Sequence, residues 1–265
     1  MLNLKCIELE IRATDKLATI WLNRPESRNS LNPQILNDLV KSIRWLEGQE
    51  DIRVVLLRGK GNSFCSGADI NWMRDSGLLS YRKNLRESKR LATCFHTLYQ
   101  SDKVIINLLH GHAIGGALGF IGAGDFSFAL KDTSFGLPEL RLGLFASVIT
   151  PYLLTRVRQN ALKYKLFTGK SFSAEEALTM GLIDGIFTSL KEMEAETDEF
   201  IHSIASASPG ALTEGKKLLR HVQRAIVNRR TINETVRTIT RLKMSEDARN
   251  RMSKFILQNT QRKET

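Results

Sequence analysis

Apolar and polar residues alternate near the start of the chain and then change to a period near 3.6. Residues 6–12 and 17–22 alternate as two paired strands would, on either side of a turn at 13–16. Asn32 and Pro33 next supply an N-cap and a proline at the first helical position. Ile35, Leu36, Leu39, Val40, Ile43 and Leu46 then form a single apolar stripe along the predicted helix. Residues 53–57 read as a short buried strand, 59–69 as a glycine-containing loop, 80–100 as a helix and 104–109 as a second buried strand. Strands and helices taking turns in this way predict an α/β core.

Residues 104–124 carry no charged side chain and match the length of a membrane span. His110, His112 and six glycines interrupt the run, so it reads as a buried strand, a glycine turn and a buried helix. Residues 126–130 and 133–135 are expected as short strands turning at Lys131-Asp132. Beyond Pro151 the pattern becomes mainly helical, over 161–167, 174–180, 190–207, 210–227, 231–244 and 245–259, with one short strand at 182–187. No linker, low-complexity tract or repeat separates these parts. The expected organisation is one α/β core over 1–200 followed by a helical region over 201–265.

Composition narrows the class. With 42% apolar and 25% charged residues, the chain has the balance of a folded soluble protein, not of a disordered one. Cys6, Cys65 and Cys94 are scattered, which excludes a disulfide framework and a cysteine-rich zinc site and suits a reducing, cytoplasmic setting. The opening MLNLKCIELEIR mixes charges with apolar residues and is not a signal-peptide pattern. The net charge of +11 is uneven: residues 210–265 hold fourteen Lys or Arg against five Asp or Glu, leaving only +2 for the rest. Such a region suits an anionic partner, although solvated helix faces are the plainer reading.

Two glycine loops carry the candidate chemistry. FCSGADI (64–70) and GHAIGGA (111–117) each follow a predicted strand and precede a helix. Backbone N–H groups at such turns point outward and bind anionic oxygen, and two converging amides make an oxyanion hole. Neither loop has the spacing of a phosphate-binding motif, whether GxxxxGK followed by Ser or Thr, or GxGxxG.

In order, spacing and flanks, these loops resemble the crotonase (enoyl-CoA hydratase/isomerase) superfamily. The match runs from Asn23-Arg24-Pro25 and Asn29-Ser30-Leu31-Asn32 through both loops to Phe135-Gly136-Leu137-Pro138-Glu139, and on to residues 141–144, 168–170 and 174–184. It covers nearly the whole chain. The resemblance implies an α/β spiral of ββα turns with a C-terminal helical trimerisation region that also completes an acyl-CoA site. The expected assembly is a homotrimer or a dimer of trimers. The amides of Ala68 and Gly116 would hold the thioester carbonyl, and Glu139 would act as acid or base. Ser30, Ser66, Ala68, Asp69, Ile70, Gly115, Gly119 and Phe255 fall at acyl-CoA-binding positions. Arg28 and Arg74 are candidates for the coenzyme A phosphates. The family's lysine three residues beyond Phe255 is Gln258 here, so Lys254, Arg262 or Lys263 are its candidate substitutes. Coenzyme A is part of the substrate, and no separate cofactor or metal is expected.

One position breaks the pattern. Family hydratases present two glutamates; the second matches Glu139 and the first matches Gly119, which has no side chain to move a proton. Three readings follow. In the first, Glu139 alone serves a hydratase, since one carboxyl can reach both ends of a syn addition. The run 139–152 is similar to methylglutaconyl-CoA-type hydratases, and Gly119 would widen the pocket for a branched or carboxylated acyl group. In the second, a Δ3,Δ2-enoyl-CoA isomerase uses Glu139 to shuttle one proton between C2 and C4. In the third, the fold binds acyl-CoA or RNA without catalysis. One relative binds RNA through a lysine-rich early helix, but 33–46 contains only Lys41 and Arg44, so nucleic acid is not expected. Cys65 reads as a buried small hydrophobe, His112 as a hydrogen-bonded or pocket-lining residue, and Ser147 as a candidate for ordering water.

Overall fold

The computed structural model describes residues 2–222 and 228–261. Its strands are β1 (Ile7–Arg12), β2 (Leu17–Leu22), β3 (Val54–Gly59), β4 (Val104–Leu109), β5 (His112–Ile114), β6 (Phe126–Leu130), β7 (Ser134–Gly136) and β8 (Gly185–Phe187). Six of them form one sheet in the order β1-β2-β3-β4-β6-β8, and β5 pairs with β7 in a second, small sheet. β1 and β2 are antiparallel because only a tight turn joins them, with Lys16 in the left-handed region (φ 56°). Every later pair is parallel, as strands separated by helical crossovers must be. The expected α/β fold is therefore present.

The helices are α1 (Pro33–Glu47), α2 (Ile70–Gly77), α3 (Tyr81–Gln100), α4 (Ala117–Ala123), α5 (Thr150–Leu153), α6 (Gln159–Thr168), α7 (Ala174–Thr179), α8 (Leu190–Ser206), α9 (Pro209–Val222), α10 (Arg229–Met244) and α11 (Glu246–Gln261). Residues 223–227 of the helix expected over 210–227 lie outside the described residues. Asn32 caps α1 as its sequence predicts, its side-chain oxygen accepting from the Ile35 amide at 2.9 Å.

At β3 and β4 both faces of the large sheet are buried, which is why these strands read as continuous apolar runs. Leu17, Val54, Leu56, Val104, Ile106 and Leu108 face Met193 and Ile201 of α8. Ile20, Val55, Leu57, Ile105 and Leu109 point the other way, into the core shared with α1 and α3. Thus α8 belongs to the sheet and runs through the expected boundary at residue 200.

The short strands expected on either side of Lys131-Asp132 are present, with the Thr133 amide closing the turn on the Leu130 carbonyl at 2.9 Å, but they do not pair with each other. β6 is flanked by β4 and β8, so both of its edges are taken, and β7 leaves to pair with β5. That departure matters for the site, because it carries the chain beyond β7 to the glycine pair that follows β5. The C-terminal helices then fold back over the same region: α10 packs on α2 and α3, and α11 packs on α2 and the Pro138–Leu142 turn. Part of the basic charge at this end is used in docking α9. Lys216 pairs with Asp125 at 2.6 Å and Arg220 with Asp102 at 2.9 Å. Among the described residues no helix is long and apolar enough to cross a membrane.

Candidate active site

Backbone bridges bring the two glycine loops together. The Cys65 amide donates to the His112 carbonyl at 3.0 Å, and the Ile114 amide donates back to Cys65 at 3.1 Å. On its other side the first loop is held by Leu31, whose amide donates to Gly67 at 2.8 Å while its carbonyl accepts from Asp69 at 2.9 Å. In a parallel bridge of this kind the middle residue turns its own N–H away, so the Ala68 amide faces the second loop. A Cβ placed on Gly116 would lie 3.7 Å from the Ala68 nitrogen. The two amides are therefore neighbours, and neither meets an acceptor among the described residues. Gly67 makes this approach possible: its φ is +91°, and a Cβ there would strike the Ile114 carbonyl at 2.7 Å.

Glu139 reaches the same place by a different route. The Gly115 amide donates to the Gly136 carbonyl at 2.8 Å, extending the β5–β7 pairing. The chain then turns through the single 3-10 turn Pro138–Leu142, which Gly143 closes in the left-handed region. The carboxyl stands over Gly115, where a Cβ would come within 2.9 Å of Oε1. Oε2 is buried with no hydrogen-bond partner. Burial pushes the Glu139 carboxyl up to about 7, with its own backbone N–H offsetting a little of the rise. A carboxyl poised near neutrality beside two free amides can exchange a proton with a carbon next to a bound carbonyl.

These groups open into a cavity of about 530 Å³. Ser66, Ala68, Ile70, Gly115, Gly116, Glu139 and Phe255 all line it, as does Ser147. Lys254 and Gln258 of α11 line it too, so the C-terminal region contributes to the site from within the same chain. Arg262 and Lys263 lie outside the described residues. Lining residues without a sequence signal are Arg141, Arg251 and an apolar group that includes Met73, Leu91, Leu144, Ile149 and Ile239. They come from elements far apart in the chain, so only the packing unites them. Arg251, one turn before Phe255, is the member that helical spacing from Phe255 would have found.

Five expected residues do not line this cavity. Asp69 caps α2, accepting from the Asn71 and Trp72 amides, and pairs with Arg24 at 3.5 Å. The Ser30 hydroxyl is buried between the same two side chains. Arg28, at φ 51°, ends a turn and uses its carbonyl to hold the Ser66 amide at 2.9 Å. Arg74 pairs with its neighbour Asp75 at 2.8 Å. All four brace or flank the loop without lining the cavity. Gly119 is the clearest correction: a Cβ there would meet Phe95 at 2.5 Å and Ile149 at 2.6 Å. The room left by the missing glutamate is filled by these two side chains, and the pocket is not widened at that point.

Other polar groups keep the plainer roles. Cys65 is fully buried, and burial pushes its thiol up to about 12, far from thiolate character at neutral pH. His112 is exposed, with Nδ1 3.2 Å from the Ser63 hydroxyl. Among the described residues no three His, Cys, Asp or Glu side chains gather as a metal site would require.

Known proteins share this arrangement of chain. A family described as enoyl-CoA hydratase/isomerase matches residues 12–260. The 2,3-dehydroadipyl-CoA hydratase of Escherichia coli is 27% identical over 254 residues, covering 96% of this chain and 97% of its own. The peroxisomal Delta(3,5)-Delta(2,4)-dienoyl-CoA isomerase of Arabidopsis thaliana is 28% identical over 227 residues, covering 81% of each chain. In fold, the crystal structure of enoyl-CoA hydratase from Bacillus halodurans aligns with a TM-score of 0.87 at 22% identity, over 94% of this chain and 99% of that one. A match spanning both amide loops, the Glu139 turn and the C-terminal helices leaves one assignment: this chain is a member of the enoyl-CoA hydratase/isomerase family, the crotonase superfamily.

Proposed function

We propose that the chain is an enoyl-CoA hydratase, adding water across the 2,3 double bond of an acyl-CoA thioester with Glu139 as its single acid/base. The observation that carries this reading is the Glu139 carboxyl, raised to about 7 and standing over Gly115 beside the Ala68 and Gly116 amides. The amides donate to the thioester oxygen and favour the enolate over the ground-state carbonyl. The Glu139 carboxylate takes a proton from water as its oxygen bonds to C3, and the C2=C3 electron pair moves into the enolate. The protonated carboxyl then returns that proton to C2 on the same face. One molecule of water is added and Glu139 ends as it began. The Ser147 hydroxyl, in the same cavity, is available as a second contact for the water.

One observation favours a second reading. Phe95 and Ile149 occupy the place beside Gly119, and Glu139 is the only acidic residue lining the cavity among the described residues. A site with one base and apolar surroundings also suits a Δ3,Δ2-enoyl-CoA isomerase, in which Glu139 removes a proton from C2 and delivers it to C4. A paired ultraviolet assay separates the two. Loss of conjugated-thioester absorbance from a 2-enoyl-CoA supports the hydratase. Gain of that absorbance from a 3-enoyl-CoA, with no loss from the 2-enoyl-CoA, replaces it with the isomerase. Neither change would leave a binding protein. The similarity of residues 139–152 to methylglutaconyl-CoA-type hydratases adds a 3-methylglutaconyl thioester to the substrates worth assaying.

A further inference from the structure

The two ends of the cavity differ in chemistry. Arg141 of the Pro138–Leu142 turn and Arg251, Lys254 and Gln258 of α11 are exposed and mark its mouth. The wall away from solvent comes from Met73 of α2, Leu91 of α3, Leu144, Ile149 and Ile239 of α10, none more than 9% exposed. None of these five carries a polar side-chain atom other than the methionine sulfur, and the buried Ser147 hydroxyl in the same lining donates its proton to the Phe145 carbonyl at 3.3 Å. Coenzyme A brings its phosphates, which basic side chains at the mouth match in charge. The acyl group then faces the apolar wall. A carboxylate at its far end would lose its water there without gaining a partner.

Lys243 is the buried cation closest in sequence to that wall, one turn beyond Ile239 on α10. Its ammonium bonds the Ser76 hydroxyl at 3.1 Å and faces the Trp72 ring, 5.7 Å from the centroid. Ser76 in turn donates to the Met73 carbonyl at 2.9 Å. The charge is thus turned into the contact between α10 and α2, and Lys243 does not line the cavity. By bracing α10 against α2 it holds Ile239 in place from behind.

We infer that the acyl group selected by this site is an uncharged, apolar chain, and that Ile239, supplied by the C-terminal region, limits its reach. The inference rests on the acyl-CoA reading of the site. The test is calorimetric titration with saturated thioesters, which bind without turnover: free coenzyme A, butyryl-CoA, hexanoyl-CoA and adipoyl-CoA. Each methylene should tighten binding about fourfold, so hexanoyl-CoA should bind roughly 15-fold more tightly than butyryl-CoA. Adipoyl-CoA should bind at least about tenfold more weakly than hexanoyl-CoA, the loss an unpaired buried polar group brings. Ile239→Trp should erase the hexanoyl advantage and leave butyryl-CoA within about twofold. The milder Ile239→Ala should weaken hexanoyl-CoA about threefold or more with butyryl-CoA unchanged.

If no thioester binds more tightly than free coenzyme A, the acyl-CoA reading itself fails, and the inference with it. If thioesters bind but hexanoyl- and butyryl-CoA are equal, or neither Ile239 variant distinguishes them, the inference alone fails. An adipoyl advantage that disappears in Lys243→Met would assign the Lys243 ammonium to the acyl terminus, and would also overturn it.

Discussion

Replacing Glu139 by glutamine removes one ionisation and almost nothing else, so its effect can be worked out from the burial of the carboxyl. The group rises from an ordinary 4.5 to about 7 in the folded protein. At about 1.4 kcal/mol per pH unit, the rise corresponds to an upper value of about 3 kcal/mol. The sign follows from proton binding: between pH 4.5 and 7 the folded chain holds more protons than the unfolded chain. Wild-type stability therefore falls as pH climbs through that window, and the full penalty is present above it. Glu139→Gln escapes the penalty. Urea unfolding at equal protein concentration should show the two proteins within about 0.5 kcal/mol at pH 4.5, with the variant ahead by about 2–3 kcal/mol at pH 8. In the same variant, turnover should drop about 10²- to 10⁴-fold while saturated acyl-CoA still binds. Wild-type kcat/KM should rise with pH and reach half its plateau near 7. A stability gap that does not change with pH, or full activity in Glu139→Gln, would refute the reasoning.

Three further substitutions probe the surroundings. Gly115 sits at φ 53°, and a Cβ there would press on Glu139 Oε1 at 2.9 Å, so Gly115→Ala should lower kcat at least about tenfold by displacing the carboxyl, read by steady-state kinetics. Gly119→Ala should destabilise the fold by about 1–2 kcal/mol in thermal unfolding, because overpacking against Phe95 and Ile149 outweighs the gain of about 1 kcal/mol in helix propensity. Burial lowers the Lys243 ammonium from 10.5 to about 8, so the folded chain holds fewer protons than the unfolded chain between those values. Wild-type stability should rise with pH across that window, and Lys243→Met should be more stable by about 1–3 kcal/mol at pH 7, with the gap closing towards pH 10.

Much of the architecture was legible because it is local. The stripe from Ile35 to Leu46 with its Asn32 cap predicts α1, and the apolar run over 104–109 predicts a strand buried on both faces. The two glycine loops were legible because glycine at fixed offsets is a backbone requirement, as Gly67 at φ +91° illustrates. Pairing is not local: residues 126–130 and 133–135 were legible as strands either side of a turn, but not that β6 has both edges filled and that β7 joins β5. Side-chain destinations were harder still. Ser30, Asp69 and Arg74 sit in the right segments but turn to neighbouring groups, a choice governed by close partners such as Arg24 and Asp75. Gly119 shows the same limit. Its missing side chain is visible in sequence, but the occupants of the space, Phe95 and Ile149, lie 24 residues before and 30 residues after it.

The central claim is that Glu139 and the Ala68 and Gly116 amides together move a proton at the carbon beside a thioester. Its most direct test is exchange of the C2 protons of hexanoyl-CoA in deuterated water, followed by NMR. This reading is independent of hydration or double-bond migration. Wild-type protein should exchange C2 hydrogen for deuterium, and Glu139→Gln should not exceed the rate without protein while still binding the thioester. Tight binding without exchange in the wild type, or equal exchange in Glu139→Gln, would contradict the account.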